Sequence, residues 1–308
     1  MNRRLRIAAA AMLAIAPTGG CMATEPSCFT KRPSVVLPDR NLVLSNVSNG
    51  ASGRALAEAM LDGRVEDAQA MLRRDPRLIG TIVTHDPRMP QAPTGQYGDL
   101  LTLAVSRCDA DGIAMLLGAG MPADGTLPGN ALSLAVLADG PELAERLLQA
   151  GASPDPQHLP QGEDPMRAAI TFSNIGAVMT LLRHGADPRW ADPLGIDRVR
   201  LALDAEQADI AELLVEKGGT LWSVAEDGSM AAHELAAEPV IFTSAEMQAA
   251  RARLLDRARK SPIGWPPPER AHVRQMVVTG AWPTAAMARA GMTVAPQILE
   301  RMRQDRAN

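Results

Sequence analysis

Apolar positions recur along the chain at fixed offsets. Leu101, Leu132, Met166 and Val199 are each followed three positions later by Ala (Ala104, Ala135, Ala169, Ala202). Fifteen positions after each anchor comes an apolar pair: Leu116-Leu117, Leu147-Leu148, Leu181-Leu182 and Leu214-Val215. Nineteen positions after it comes a glycine: Gly120, Gly151, Gly185 and Gly218. The anchors recur at a nearly constant period, from Leu101 to Leu132, then to Met166, then to Val199. A fifth unit opens at Leu56 with Ala59 and Met71-Leu72, but Asp75 stands where the glycine would be, and about twelve residues are inserted near Leu78–Tyr97. A period of this length marks a stack of supersecondary units, none of which can bury its apolar face alone. Each unit is expected to be two short antiparallel helices and a loop. The Ala lets inner helices approach closely, the apolar pair fills the space between units, and the Gly ends the second helix at positive φ. Acidic residues recur at the tenth position after the anchor (Glu66, Asp111, Glu142 and Asp209, with Gly176 the exception). They fall in the first turn of the second helix, where they favour the positive end of its dipole.

The spacing resembles the ankyrin repeat. That family's pattern opens with Thr-Pro-Leu-His-x-Ala, turns at a Gly, carries a Leu-Leu pair on a second helix and closes with Gly-Ala-Asp. The closing motif stands here as Leu147-Leu148-Gln149-Ala150-Gly151-Ala152 and as Leu181-Leu182-Arg183-His184-Gly185-Ala186-Asp187-Pro188. Asp62-Gly63-Arg64-Val65-Glu66 is similar to the inter-helix turn, and only Pro165 keeps the proline before the anchor. The resemblance covers residues 51–222 and implies an all-α solenoid of about five helix-pair repeats. It also implies partner contacts at the loop tips and at the ends of the inner helices. By repeat position these are Gln96 and Arg107, Leu127 and Leu137, Gln161 and Phe172, and Leu194 and Ala205. Trp190, in a loop between units, and Tyr97, in the insertion, are added to them. Phe172 and Trp190 are bulky residues in a chain with three Phe, four Trp and one Tyr, so each is either an exposed anchor for a partner or packing between repeats.

Residues 223–308 leave the register. Thr243-Ser244 followed by Glu246 is a helix start, with a helix expected over Ala245–Lys260. Further helical stretches are expected at Glu269–Val278, Pro283–Ala290 and Pro296–Arg303, which together make a helical cap on the last repeat or a small subdomain.

Residues 1–23 read as an export signal. Three arginines precede the ten-residue apolar run Ile7–Ala16, and Pro17, Gly19 and Gly20 end it. Two processing routes follow. Cleavage after Ala23 gives a soluble periplasmic protein. The lipobox-like Thr18-Gly19-Gly20-Cys21 gives a lipoprotein anchored at Cys21. Residues 24–50 are read as an irregular tether with a short strand at Asn41–Leu44. Either route leaves Cys28 and Cys108 as an even pair, which an oxidising compartment would join and a reducing one would leave as thiols.

Composition narrows the function. The apolar share of 46% and charged share of 21% exclude a wholly disordered chain and a polytopic membrane protein. Residues 24–220 hold 17 Lys+Arg against 26 Asp+Glu, net −9, so the array favours a basic partner and repels nucleic acid. No phosphate loop, dinucleotide fingerprint, nucleophile elbow or zinc-ligand spacing occurs, and His184 reads as a helix-capping residue. The expectation is a non-enzymatic protein-binding module without metal or cofactor, membrane-associated only through a lipid on Cys21. The alternative is a repeat platform carrying an enzymatic or inhibitory function in residues 221–308.

Overall fold

The computed structural model describes residues 28–31, 40–45, 47–83, 98–126, 130–156, 164–237 and 244–307. A short helix, α1 (Arg40–Ser45), precedes the first helix pair, α2 (Gly50–Leu61) and α3 (Val65–Arg74), which a 3-10 turn at Pro76–Gly80 closes. The strands β1 (Ile82–Val83) and β2 (Gly98–Asp99) pair antiparallel, with Ile82 opposite Asp99. Four more pairs follow: α4 (Leu100–Ser106) with α5 (Ala110–Gly118), α6 (Asn130–Ala135) with α7 (Glu142–Gln149), α8 (Pro165–Thr171) with α9 (Ile175–Arg183), and α10 (Arg198–Asp204) with α11 (Ala208–Glu216). After β3 (Ser223–Val224) come α12 (Ala231–Ala236) and α13 (Ala245–Arg259). The chain ends with α14 (Arg270–Val278), α15 (Ala285–Arg289), β4 (Thr293–Val294) and α16 (Pro296–Ala307).

The first helices of the pairs stack in one row, α4 on α6, α6 on α8, α8 on α10 and α10 on α12. Second helices form the outer row, with α3 on α5, α7 on α9 and α11 on α13. The anchors Leu56, Leu101, Leu132, Met166 and Val199 are all buried, and so are the alanines three residues on. Gly120, Gly151, Gly185 and Gly218 all take positive φ and stop the second helices. Asp75, at the glycine position of the first unit, instead sits at φ −135 and caps the 3-10 turn by accepting from Arg77 N.

The turn between the two helices has its own recurrent conformation, seven residues after the anchor. Gly63, Cys108, Ser173 and Glu206 all adopt left-handed backbone there. A side chain in that conformation costs about 1 kcal/mol relative to glycine. Ser173→Gly and Glu206→Gly, both at exposed positions, should each raise stability by about 1 kcal/mol, or a few degrees in melting midpoint. Thermal melts of the two variants check this; an unchanged midpoint in both would contradict it.

One feature departs from the sequence reading and another extends it. Asn41–Leu44 is helical, because a single turn lets Val43 and Leu44 bury together against α2. Residues beyond 222 also continue the stack as a sixth helix pair: α12 lies on α10 and α13 on α11. Its inner helix buries Ala231, Ala232 and Leu235, and its second helix carries the pair Leu254-Leu255 at a later offset, with Ala258 where the glycine would be. The last helices fold back on this pair, and β4 lies parallel to β3. No helix among the described residues is long and apolar enough to cross a membrane.

Candidate interaction surface

The loops that leave the second helices are tied together by a ladder of carboxylates. Asp124 accepts from the Ser153 amide at 2.8 Å, and Asp155 accepts from the Asp187 amide at 2.5 Å. Each rung joins one loop to the next, which fixes the loops in a row along one edge. The ladder ends on Arg198, whose side chain is 1% exposed. Its guanidinium donates to Asp155 at 2.5 Å, to Asp164 at 3.1 Å and to the Asp187 carbonyl at 2.6 Å. Trp190 lies over it, 5.3 Å from ring centroid to the guanidinium carbon. A buried cation is tolerable only when paired and hydrogen-bonded, and here the two preceding units supply the partners.

Beyond Trp190 the loop is folded by Asp192, which accepts from the amides of Leu194 and Ile196, both at 2.9 Å. The turn pushes Leu194 outward, 54% exposed. Leu194 forms the lip of a cleft of about 390 Å³ between the last full repeat and the C-terminal helices. Ile196 and Ala225 extend the apolar side. The charged side has Arg200, bonded to Ser229, and Arg274, which donates to Asp305 at 2.8 Å and to the Glu226 carbonyl at 3.1 Å. Paired charges around an apolar lip suit the recognition of an apolar side chain on a polar segment.

The helix-end positions converge in part. Arg107, Phe172 and Ala205 are the C-caps of α4, α8 and α10, so they occupy equivalent places in three units. All three are half-buried, and Phe172 packs against the core. Leu137 is 6% exposed and belongs to the core, so it offers no contact to a partner; α6 is only six residues long, and its side chain turns inward where the helix stops. Gln96, Tyr97, Leu127, Gln161 and Cys21 lie outside the described residues, as does the tip of the insertion. Ile175 and Met179, one turn apart on α9, are exposed apolar residues that the repeat offsets do not single out.

No family model matches the chain. Neurogenic locus notch homolog protein 4 of Homo sapiens is 33% identical over 105 residues. That span is 33% of this chain and 5% of the relative, so the chain covers a small part of the relative's length. The relative contains ankyrin repeats, and the similarity points to a repeat of the same kind in this mostly helical chain.

The N-terminal residues Cys28–Lys31 add a further contact to the array. Cys28 and Cys108 are joined by a disulfide, with sulfurs 2.13 Å apart. Three hydrogen bonds to Thr30 and Lys31, led by the Thr30 hydroxyl, hold the Asp139 carboxyl below its usual range. Glu145 is held low by His184, whose ring nitrogen lies 2.8 Å away, and His184 itself caps α9. Asp197, which caps α10, is pushed the other way by burial, up to about 6. Among the described residues no group of three or more His, Cys, Asp or Glu side chains is placed to hold a metal ion.

The sequence reading passed over Arg198, Asp155, Asp164 and Asp139. A signal for one set existed. Asp99, Asp164 and Asp197 each stand two residues before an anchor, cap the inner helix, and have Asn130 as their counterpart in the third unit.

Proposed function

We propose that this chain is an ankyrin-repeat interaction module of a bacterial envelope. Residues 1–23 export it, and it is then either soluble in the periplasm or anchored through a lipid on Cys21. It performs no reaction and carries no cofactor. It binds a protein partner along the loop row and the inner-helix ends, and the net charge of −9 over residues 24–220 favours a basic one over nucleic acid. The observation that carries the reading is the loop row itself. A carboxylate ladder aligns successive loops and ends beside an exposed Leu194 at a cleft, a rigid edge with an apolar anchor point. The similarity to a repeat-bearing relative agrees with this reading, and the Cys28–Cys108 bond suits an oxidising compartment outside the cytoplasm.

The test is recovery of a C-terminally tagged chain from the envelope fraction of its host. Its intact mass should fit either a lipid-bearing chain that starts at Cys21 or an unlipidated one that starts at Thr24. A partner should co-purify with it and be lost, by tenfold or more, from Leu194→Asp at an unchanged melting midpoint. Placing a charge on the apolar lip costs binding about 1.4 kcal/mol for each tenfold. An unprocessed Met1 would reject export. Capture that ignores Leu194 would move the partner off the cleft.

A further inference from the structure

The third unit breaks the turn pattern of its neighbours, and the break has an occupant. Asp139 stands seven residues after the anchor Leu132, where Gly63, Cys108, Ser173 and Glu206 are left-handed, but Asp139 is not among the left-handed residues. Its inner helix stops early, at Ala135, and the next helix starts only at Glu142. The freed backbone and carboxylate of Asp139 grip a turn of the chain's own N-terminal region, Cys28–Lys31. Asp139 N donates to the Cys28 carbonyl at 2.6 Å. One carboxylate oxygen accepts from Thr30 N at 2.8 Å and from the Thr30 hydroxyl at 2.5 Å, and the other accepts from Lys31 N at 2.9 Å. Between these anchors Phe29 is 4% exposed and joins the hydrophobic core. The Cys28–Cys108 disulfide fastens the same segment to the equivalent turn of the second unit. Amide and hydroxyl hydrogen bonds to one carboxylate and a buried aromatic anchor are contacts that a short peptide turn makes equally well in cis or in trans.

We infer that the inter-helix turns of the second and third units form a peptide-binding site for an aromatic residue followed by a hydroxyl residue and a cation, that Cys28–Lys31 fills it in cis, and that the Cys28–Cys108 disulfide shuts out a peptide of the same kind. The acidic array around the site favours the cation of such a peptide. Opening takes a dithiol, as carried by a thiol–disulfide oxidoreductase. One of its thiolates attacks a bridge sulfur to form a mixed disulfide, and its second thiol displaces the remaining protein thiol. The bridge gains two electrons and two protons as two Cys thiols, and the dithiol leaves as a disulfide. After reduction the segment remains tethered at millimolar effective concentration, so a peptide in trans gains access only as far as it outcompetes Phe29. This inference deepens the interaction-module reading by naming one of its surfaces, but its contacts stand whether or not the partner at Leu194 is found.

The experiment uses the full mature chain and a fluorescent peptide of residues 26–33 carrying Cys28→Ser, read by anisotropy with and without dithiothreitol. A Phe29→Ala chain, whose own segment grips weakly, should bind the peptide at least tenfold more tightly when reduced than when oxidised. Adding Asp139→Ala should remove that gain. Equal binding in the two redox states, binding that ignores Asp139, or no binding by the reduced chain would overturn the inference. Hydrogen exchange on the unmodified chain gives a second reading that needs no variant to fold. Exchange of the Thr30 and Lys31 amides should quicken at least tenfold on reduction, and unchanged protection would overturn the latch.

Discussion

Replacing Arg198 with Ala should lower stability by about 3–5 kcal/mol, the usual result of removing one partner from a buried ion cluster. Two carboxylates, Asp155 and Asp164, would lose their cation while nearly enclosed, and one Asp164 oxygen already has no hydrogen-bond partner among the described residues. Trp190 would lose the group it stacks on. The effect should reach beyond one residue, because the guanidinium joins Asp155, Asp164 and Asp187 from two successive units to its own helix. Stability in a repeat array is roughly a sum of unit and neighbour-interface terms, so hydrogen exchange should rise on both sides of the cut, in α8 and α10. Arg198→Met combined with Asp155→Asn and Asp164→Asn should recover most of the loss, since no buried charge would then be unpaired and Asn still caps α8. Urea melts of the single and triple variants check this. A single variant within about 0.5 kcal/mol of the parent would mean that the cluster contributes nothing net to the stack.

Asp197→Asn should stabilise the protein at neutral pH by up to about 3 kcal/mol and should lose that advantage in acid. Asp197 is 2% exposed, and burial raises its carboxyl from 3.8 to about 6. The folded state therefore holds the Asp197 proton more tightly than the unfolded state does. Below pH 3.8 the group is protonated in both states and carries no penalty. As pH rises from 3.8 to about 6 the unfolded state releases this proton while the buried carboxyl still holds it, and stability falls by about 1.4 kcal/mol per pH unit. Above that window the penalty is constant. Asparagine keeps the oxygen that accepts from Arg200 N at 2.8 Å and removes the charge. Carboxyls held low, such as Asp139 and Glu145, act in the opposite sense, but both chains share them. The difference between parent and variant thus isolates Asp197. Denaturant melts from pH 3.5 to 8 should show the two curves parting between pH 4 and 6, with the variant above. Parallel curves would contradict the assignment.

The repeat was legible because it rests on local offsets. The distance from an anchor to its Ala, apolar pair and Gly is set by the length of two helices, so four copies in phase fix both the helices and their stacking. The four helices α13 to α16 were legible from local signals too, among them the Ser244 cap and the prolines Pro283 and Pro296. The polar framework depends on residues far apart, as Arg198 is 43 residues from Asp155, whereas cysteine counting alone already left Cys28 and Cys108 as a pair. No periodicity predicts which charge meets which across folded units. Of the sixth pair only the inner helix was missed, because stacking needs only a buried face, and α12 supplies one with alanines and a leucine that break the offsets of the other units. Phe172 and Trp190 were ambiguous because a bulky residue at a helix end or loop packs inward or outward according to its neighbours. Here Phe172 finds the core and Trp190 finds a guanidinium. Leu194 lay on the same repeat logic, and it is the loop fold built by Asp192 that turns it outward.

The central claim is that a partner sits on the loop row and inner-helix ends and leaves the outer helices clear. Photo-cross-linking in the host tests it most directly, with a benzophenone side chain placed in turn at Leu194, Thr171, Glu66 and Gln149, all exposed. The first two lie on the loop edge and at the end of α8; the other two lie on the outer helices α3 and α7. The account predicts adducts to the same protein from Leu194 and Thr171 and none from Glu66 or Gln149. Adducts from the outer helices alone would contradict it.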